Sequence, residues 1–166
     1  MYHKVAKISN LLHNVSIINK LSNYLIKKSN QNNDEIITRA YALSDLTGLD
    51  NSSIGKLGEG LAKKYYKDLG YKIIETNARK RFGEIDIVAQ CNGKIIFCEV
   101  KTRSSDRFGS AVESLTYTKK KRILRMIRYY CLKNRIPEEN IRADFIAIQI
   151  NEDTVELKHF QGIELV

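Results

Sequence analysis

The sequence predicts an α/β domain: a central mixed β-sheet flanked by helices, preceded by a helical N-terminal extension. Three observations carry this. Two long stretches, ending near Leu69 and near Asn134, repeat apolar residues at helical spacing. Five shorter stretches read as strands, and four of them alternate apolar and polar residues, two of these flanking Asn92-Gly93. Their order, helix–strand–hairpin–helix–strand–strand, interleaves the two kinds of element, as a sheet covered by helices requires. At 166 residues the chain holds one ordinary domain with a substantial core.

Residues 1–53 form the extension and residues 54–166 the domain. In the extension Leu11, Leu12, Val15, Ile18, Leu21 and Leu25 recur at helical spacing, giving a helix over about 10–28. Ser29-Asn30-Gln31-Asn32-Asn33 breaks it, and Asp34 caps a second helix to about Leu43. A loop through Gly48, Asn51, Ser52 and Ser53 follows. The extension reads as an appendage packed on the domain rather than a partner-binding cover.

Ser52 or Ser53 then caps a helix that runs to about Leu69 and ends at Gly70. Leu57, Leu61, Tyr65 and Leu69 lie on its core face. Gly58 shares that face, where a missing side chain permits close approach to a sheet. Glu59 lies on the flank, and by spacing alone it is an ordinary first-turn glutamate favoured by the helix dipole.

Tyr71 to Glu75 reads as a strand, and Thr76 to Arg81 as a basic, irregular connection. Beyond the hairpin, Thr102 to Gly109 is a loop with two arginines, two serines and an aromatic. That composition suits phosphate contact and equally suits a solvated loop. Thr116–Asn134 is the second main helix, with Ile123, Leu124, Ile127, Tyr130 and Cys131 on one face. Lys121, Arg122, Arg125 and Arg128 sit on the opposite face, and six of the ten residues from Lys119 to Arg128 are basic. Phosphate binding is the expected role. A membrane-surface helix is disfavoured by the lack of Trp. Arg142 to Ile150 alternates as a strand, Asn151 to Asp153 turns, and Thr154 to Phe160 returns as its partner. Asp144 reads as a salt-bridged strand-end carboxylate rather than a site residue.

Asn92-Gly93 is the strongest turn signal in the chain. A two-residue type I′ turn there pairs Cys91 with Lys94. Counted outward, that register sets Asp86 opposite Glu99 and Glu84 opposite Lys101, all four on one face. Directly opposed like charges destabilise a sheet, and a cation between Asp86 and Glu99 relieves the repulsion.

Composition narrows the function. The net charge of +9 and a pI near 9.4 point to a polyanionic partner, with a net of +2 over residues 1–54 and +7 over 55–166. Three cysteines without CxxC spacing fit a reducing, cytoplasmic setting, and argue against disulfides and structural zinc. No apolar run approaches a membrane span, and no secretory h-region is present. P-loop, GxGxxG, GxSxG and HExxH patterns do not occur, and His3, His13 and His159 are scattered.

Asp86 followed by Glu99-x-Lys101 on the next strand resembles the PD-(D/E)xK signature of restriction-endonuclease-like nucleases. From Ile54 to about Leu165 the chain also resembles the YraN family, bacterial proteins similar to Holliday-junction resolvases. The matching residues are Gly58-Glu59-x-x-Ala62, Gly70-Tyr71, Asn77-x-Arg79, Gly83-Glu84-Ile85-Asp86, Phe97-x-Glu99-Val100-Lys101-x-Arg103, Phe108-Gly109, Lys121 and Arg142-x-Asp144. This resemblance implies a restriction-endonuclease-like core. It makes Asp86 and Glu99 central ligands of Mg²⁺ or Mn²⁺, and adds Glu59, by analogy with the resolvases, as a further ligand. It places Lys101 beside the scissile phosphate.

The expected function is a metal-dependent, structure-selective endonuclease, with Asp86, Glu99 and Lys101 catalytic. Arg79, Arg103, Lys121, Arg122, Arg125 and Arg128 are the expected nucleic-acid contacts, with DNA preferred to RNA. Cutting both strands of a junction would require two sites, hence a homodimer. The alternative is a non-catalytic nucleic-acid-binding module that keeps the fold, and a third reading is protein interaction through residues 1–50.

Overall fold

The computed structural model describes residues 26–31, 34–42, 50–104, 114–150 and 154–165. Seven strands form one mixed sheet: β1 (Ile26–Gln31), β2 (Asp34–Ala42), β3 (Lys72–Lys80), β4 (Gly83–Cys91), β5 (Lys94–Arg103), β6 (Ile141–Ile150) and β7 (Thr154–Phe160). Their spatial order is β1-β2-β7-β6-β5-β4-β3. Neighbours pair antiparallel except β5 and β6, which run parallel. The crossover that makes them parallel contains helix α2 (Tyr117–Asn134). Helix α1 (Asn51–Asp68) precedes β3.

The helices cover opposite faces of the sheet. Leu57, Leu61 and Tyr65 of α1 pack on Ile87, Ala89, Ile96, Cys98, Ile146 and Ile148. Ile123, Met126 and Ile127 of α2 pack on Ile85, Val88 and Phe97. Strands buried on both faces become near-continuous apolar runs, which is why β4 and β5 read Ile-x-Ile-Val-Ala and Ile-Ile-Phe-Cys.

Gly58 does what its place in the apolar stripe implies. A Cβ there would lie 2.9 Å from the Thr102 Cβ and collide with its hydroxyl, so α1 approaches β5 closely only at a glycine. Asn92 and Gly93 have φ of 49° and 77°, the two positive values a type I′ turn needs.

Expectations in three stretches need correction. The helix expected over 34–43 is strand β2. Ile36-Ile37-Thr38 is a β-branched run that is stiff at χ1 and favours extended backbone, and β1 and β7 supply hydrogen-bonding partners on both sides. Most of the helix expected over 10–28 lies outside the described residues, but its last residues, Ile26 to Lys28, open β1. The break expected over 29–33 is also strand as far as Gln31, so β1 and β2 of the extension belong to the domain's sheet. Second, α1 is capped by Asp50, whose carboxylate accepts from the Ser53 N–H at 2.7 Å, rather than by Ser52 or Ser53. Third, the irregular stretch expected over 76–81 continues β3 to Lys80, with a register shift between Ile73 and Glu75.

Candidate functional site

The site arises where the β4–β5 hairpin opens. From the turn, Cys91↔Lys94 through Ile87↔Cys98 pair in the register that Asn92-Gly93 dictates. Beyond Ile87 the ladder stops, so Asp86 and Glu99 are not a ladder pair. The Asp86 carboxylate enters the gap and accepts the Val100 N–H at 2.7 Å. Side-chain alternation also breaks at Asp86, since Ile87 and Ala89 pack beneath α1 whereas Ile85 packs beneath α2. The expected single face holding Glu84, Asp86, Glu99 and Lys101 is therefore interrupted at its second member. Across from Asp86 on β3, between the pairs Thr76↔Ile87 and Ala78↔Ile85, Asn77 takes a φ of 54°. Asn tolerates this left-handed conformation better than most residues.

Asp86 and Glu99 are buried, at 7% and 6% exposure. Burial raises Asp86 to about 6; the Val100 N–H pulls it down, and the Glu59 charge pushes it up. Burial and the Asp86 charge raise Glu99 to about 7, against the pull of Lys119. Lys119 Nζ lies 2.7 Å from Glu99 Oε1. The other oxygen, Oε2, is buried and has no hydrogen-bond partner among the described residues. Burial lowers the Lys119 pKa less than Glu99 and Asp86 raise it, and the net shift is upward. Glu59, half-buried on α1, accepts from Asn77 Nδ2 at 3.2 Å.

Three depressions lie around this cluster; Glu99 lines one and Glu59 another, and Asp86 lines none of the three. One of about 380 Å³ is lined by Glu99, Lys101, Arg103, Thr116 and Lys119. One of about 260 Å³ is lined by Arg79, Lys80, Glu84, Lys119 and Arg122. One of about 390 Å³, on the α1 side, is lined by Glu59, Val100, Lys101 and Arg103. Shared walls at Lys119, and at Lys101 and Arg103, link them in a row.

Of the expected residues, the structure brings together Asp86 and Glu99, with Glu59 close enough to raise Asp86. Lys101, Arg79, Arg103 and Arg122 line the depressions. Arg79 is also bridged to Glu84 at 2.8 Å. Lys121, Arg125 and Arg128 are exposed on α2 and line none of these three depressions, and Lys121 sits over the Tyr117 ring. Among the described residues, no group of three or more His, Cys, Asp or Glu side chains converges as a ready-made metal site. The part of the Arg- and Ser-containing loop from Ser105 to Gly109 lies outside the described residues.

Two contributors escaped the sequence reading. Lys119 carried a signal, because it falls in helical register with Ile123, Met126 and Tyr130, a cation on an apolar stripe. Asn77 stands in the Asn77-x-Arg79 stretch of the family resemblance, but nothing in its neighbours announces a positive φ.

A second buried polar cluster lies on the α1 face. Asp144, 1% exposed, accepts from Arg142 at 2.8 Å, from Tyr66 at 2.9 Å and from the Gly162 N–H at 3.1 Å, and His159 Nε2 lies 2.8 Å away. Burial alone would raise Asp144, but the bonds from His159 and Arg142 outweigh it and hold the carboxyl below its ordinary value. The strand-end salt bridge expected of Asp144 is present, within a larger network.

The raised carboxyls imply a pH dependence. A carboxyl whose folded pKa lies above its ordinary value stabilises the fold while protonated, and that stabilisation is lost as pH rises through the folded pKa. In EDTA, stability is therefore expected to fall between about pH 4 and about pH 7, by up to roughly 3 kcal/mol for a carboxyl moved from 3.8 to about 6. Asp144 acts oppositely and below this window. Melting temperature against pH checks the decline.

These features define an α/β domain carrying a buried carboxylate pair at the mouth of an opened hairpin, beside a row of cationic depressions. The model of the uncharacterised protein family UPF0102 matches residues 58–148, and the chain belongs to that family, the YraN family. A UPF0102 protein of Alkaliphilus oremlandii is 45% identical over 114 residues, covering 68% of this chain and 97% of its own. Relatives in Persephonella marina and Clostridioides difficile are each 39% identical, over 105 and 107 residues, covering 63% and 64% of this chain and 90% and 94% of theirs. The family match spans Glu59, Asp86, Glu99, Lys101 and Lys119, and begins after β1 and β2. Among the described residues no helix is long and apolar enough to cross a membrane.

Proposed function

We propose that the protein is a metal-dependent endonuclease that hydrolyses phosphodiester bonds in nucleic acid, DNA in preference to RNA. The supporting observation is the buried Asp86–Glu99 pair, with a buried oxygen, Glu99 Oε2, that has no hydrogen-bond partner among the described residues, beside a cationic depression that Glu99 lines. A carboxylate donor set of this kind fits a hard divalent cation. Asp86 and Glu99, with Glu59 from α1, would hold Mg²⁺ or Mn²⁺, whose chemistry in such sites is polarisation of phosphate and activation of water.

The protein's own groups do the rest. The Val100 N–H fixes one Asp86 oxygen, so the carboxylate keeps its orientation. Lys101 and Lys119 line the central depression and offset negative charge accumulating on a phosphate held there. Arg103, whose Nε has no hydrogen-bond partner among the described residues, and Arg79 and Arg122 beyond Lys119 hold neighbouring phosphates. The free cysteines suit a cytoplasmic enzyme.

One observation favours a second reading. Lys119 already neutralises Glu99 at 2.7 Å, as a binding module without chemistry would require. Incubating the protein with branched, flapped, duplex and single-stranded DNA and RNA in Mg²⁺ or Mn²⁺ separates the two. Cleavage that Glu99→Ala abolishes supports the nuclease. Binding without cleavage across the panel supports the module.

A further inference from the structure

The ion pair to Glu99 comes from Lys119 on α2, not from Lys101 on Glu99's own strand. Local helix physics does not favour a lysine there. With Thr116 as N-cap, Lys119 is the third helical residue, a position near the positive end of the helix dipole where glutamate is favoured. The first turn of α2 holds no acidic residue. A residue that breaks a local rule at a buried carboxylate points to a function.

The Lys119 side chain also has two places to go. Its Nζ touches Glu99 Oε1, while the side chain, 32% exposed, lines both the 380 Å³ and the 260 Å³ depressions. The Thr116 hydroxyl accepts the Lys119 N–H at 3.3 Å, so the backbone is pinned and only the flexible four-carbon stem need move. An ammonium and a divalent cation sharing one carboxylate repel each other strongly in a partly buried site.

Building on the nuclease reading, we propose that Lys119 is an exchangeable counter-ion. It neutralises Glu99 until a divalent cation takes over that charge, and it then turns into the groove to meet a substrate phosphate. Cation binding and nucleic-acid binding thereby reinforce one another through one side chain, and the coupling is reciprocal.

The test uses the full chain and Lys119→Met, with Lys119→Gln as a second neutral variant. Mn²⁺ affinity is read by calorimetry. Affinity for a fluorescein-labelled four-way-junction DNA is read by anisotropy in Ca²⁺ and in EDTA. For the wild type, Ca²⁺ is expected to tighten DNA binding at least about fivefold. In both variants Mn²⁺ is expected to bind about tenfold tighter, because the competing ammonium is gone. The Ca²⁺ enhancement of DNA binding should fall below about twofold. If the wild type binds Mn²⁺ and the variants leave both its affinity and the coupling unchanged, this inference fails and the nuclease reading stands. If the wild type binds no Mn²⁺, both fail.

Discussion

Glu99→Gln is expected to stabilise the protein in EDTA at neutral pH while reducing Mg²⁺- or Mn²⁺-dependent cleavage by at least about a hundredfold. The two changes have one origin. Burial and the neighbouring Asp86 charge raise the Glu99 carboxyl to about 7, so ionising it inside the fold is unfavourable. The amide resembles the protonated carboxyl and can still accept from Lys119. Relief of that strain is worth about 1–3 kcal/mol. In a domain of this size it raises the melting temperature by several degrees. The amide, however, is a poor ligand for a hard cation. Thermal unfolding in EDTA and a cleavage assay on the best substrate read the two effects. A lower melting temperature would mean that the Lys119 pair outweighs the repulsion. Retained cleavage would remove Glu99 from the chemistry.

Asp144→Ala is expected to cost about 3–5 kcal/mol of stability, because truncating one member of a buried ionic network leaves its partners uncompensated. Four groups converge on this carboxylate: the Arg142 guanidinium, the Tyr66 hydroxyl, the His159 ring and the Gly162 N–H. Arg142 also donates to Tyr71, whose ring stacks on Tyr66 with centroids 4.5 Å apart. The network therefore ties α1, β6, β7 and the chain beyond β7 together. Asp144→Asn keeps an acceptor and should cost less. Denaturant midpoints measure both, and a loss below about 1 kcal/mol for Asp144→Ala would show that the site collapses without penalty. Asp144 pairs with Cys98, the residue before Glu99, so this network also fixes the strand that presents the site.

What could be read from the sequence follows the range of the interactions involved. The Asn92-Gly93 turn, the five-pair register it dictates, and the apolar stripes of α1 and α2 depend on nearest neighbours and on periodicity. Strand β2 escapes a local reading because Ser29 to Asn33 reads as a helix break rather than as part of a pairing strand, and its other partner β7 lies more than a hundred residues later. No local pattern reveals the pairing with β7. Asp86 and Glu99 were recognisable as a pair, but the opening of the hairpin between them was not. That opening depends on Asp86 taking the Val100 N–H and on Asn77 adopting a positive φ on the adjacent strand. Lys119 counts in the sequence only as one of the basic residues from 119 to 128 expected to bind phosphate, because composition shows charge without direction. Its register with Ile123 and Met126 points it at the sheet, whereas Lys121, Arg125 and Arg128 point away.

Calorimetric titration of Mn²⁺ into the wild type and Asp86→Asn tests the proposed divalent-cation site at Asp86 and Glu99. The carboxylate pair predicts saturable Mn²⁺ binding by the wild type, weakened at least about tenfold, or 1.4 kcal/mol, in Asp86→Asn. Equal Mn²⁺ affinity in the two proteins would contradict it.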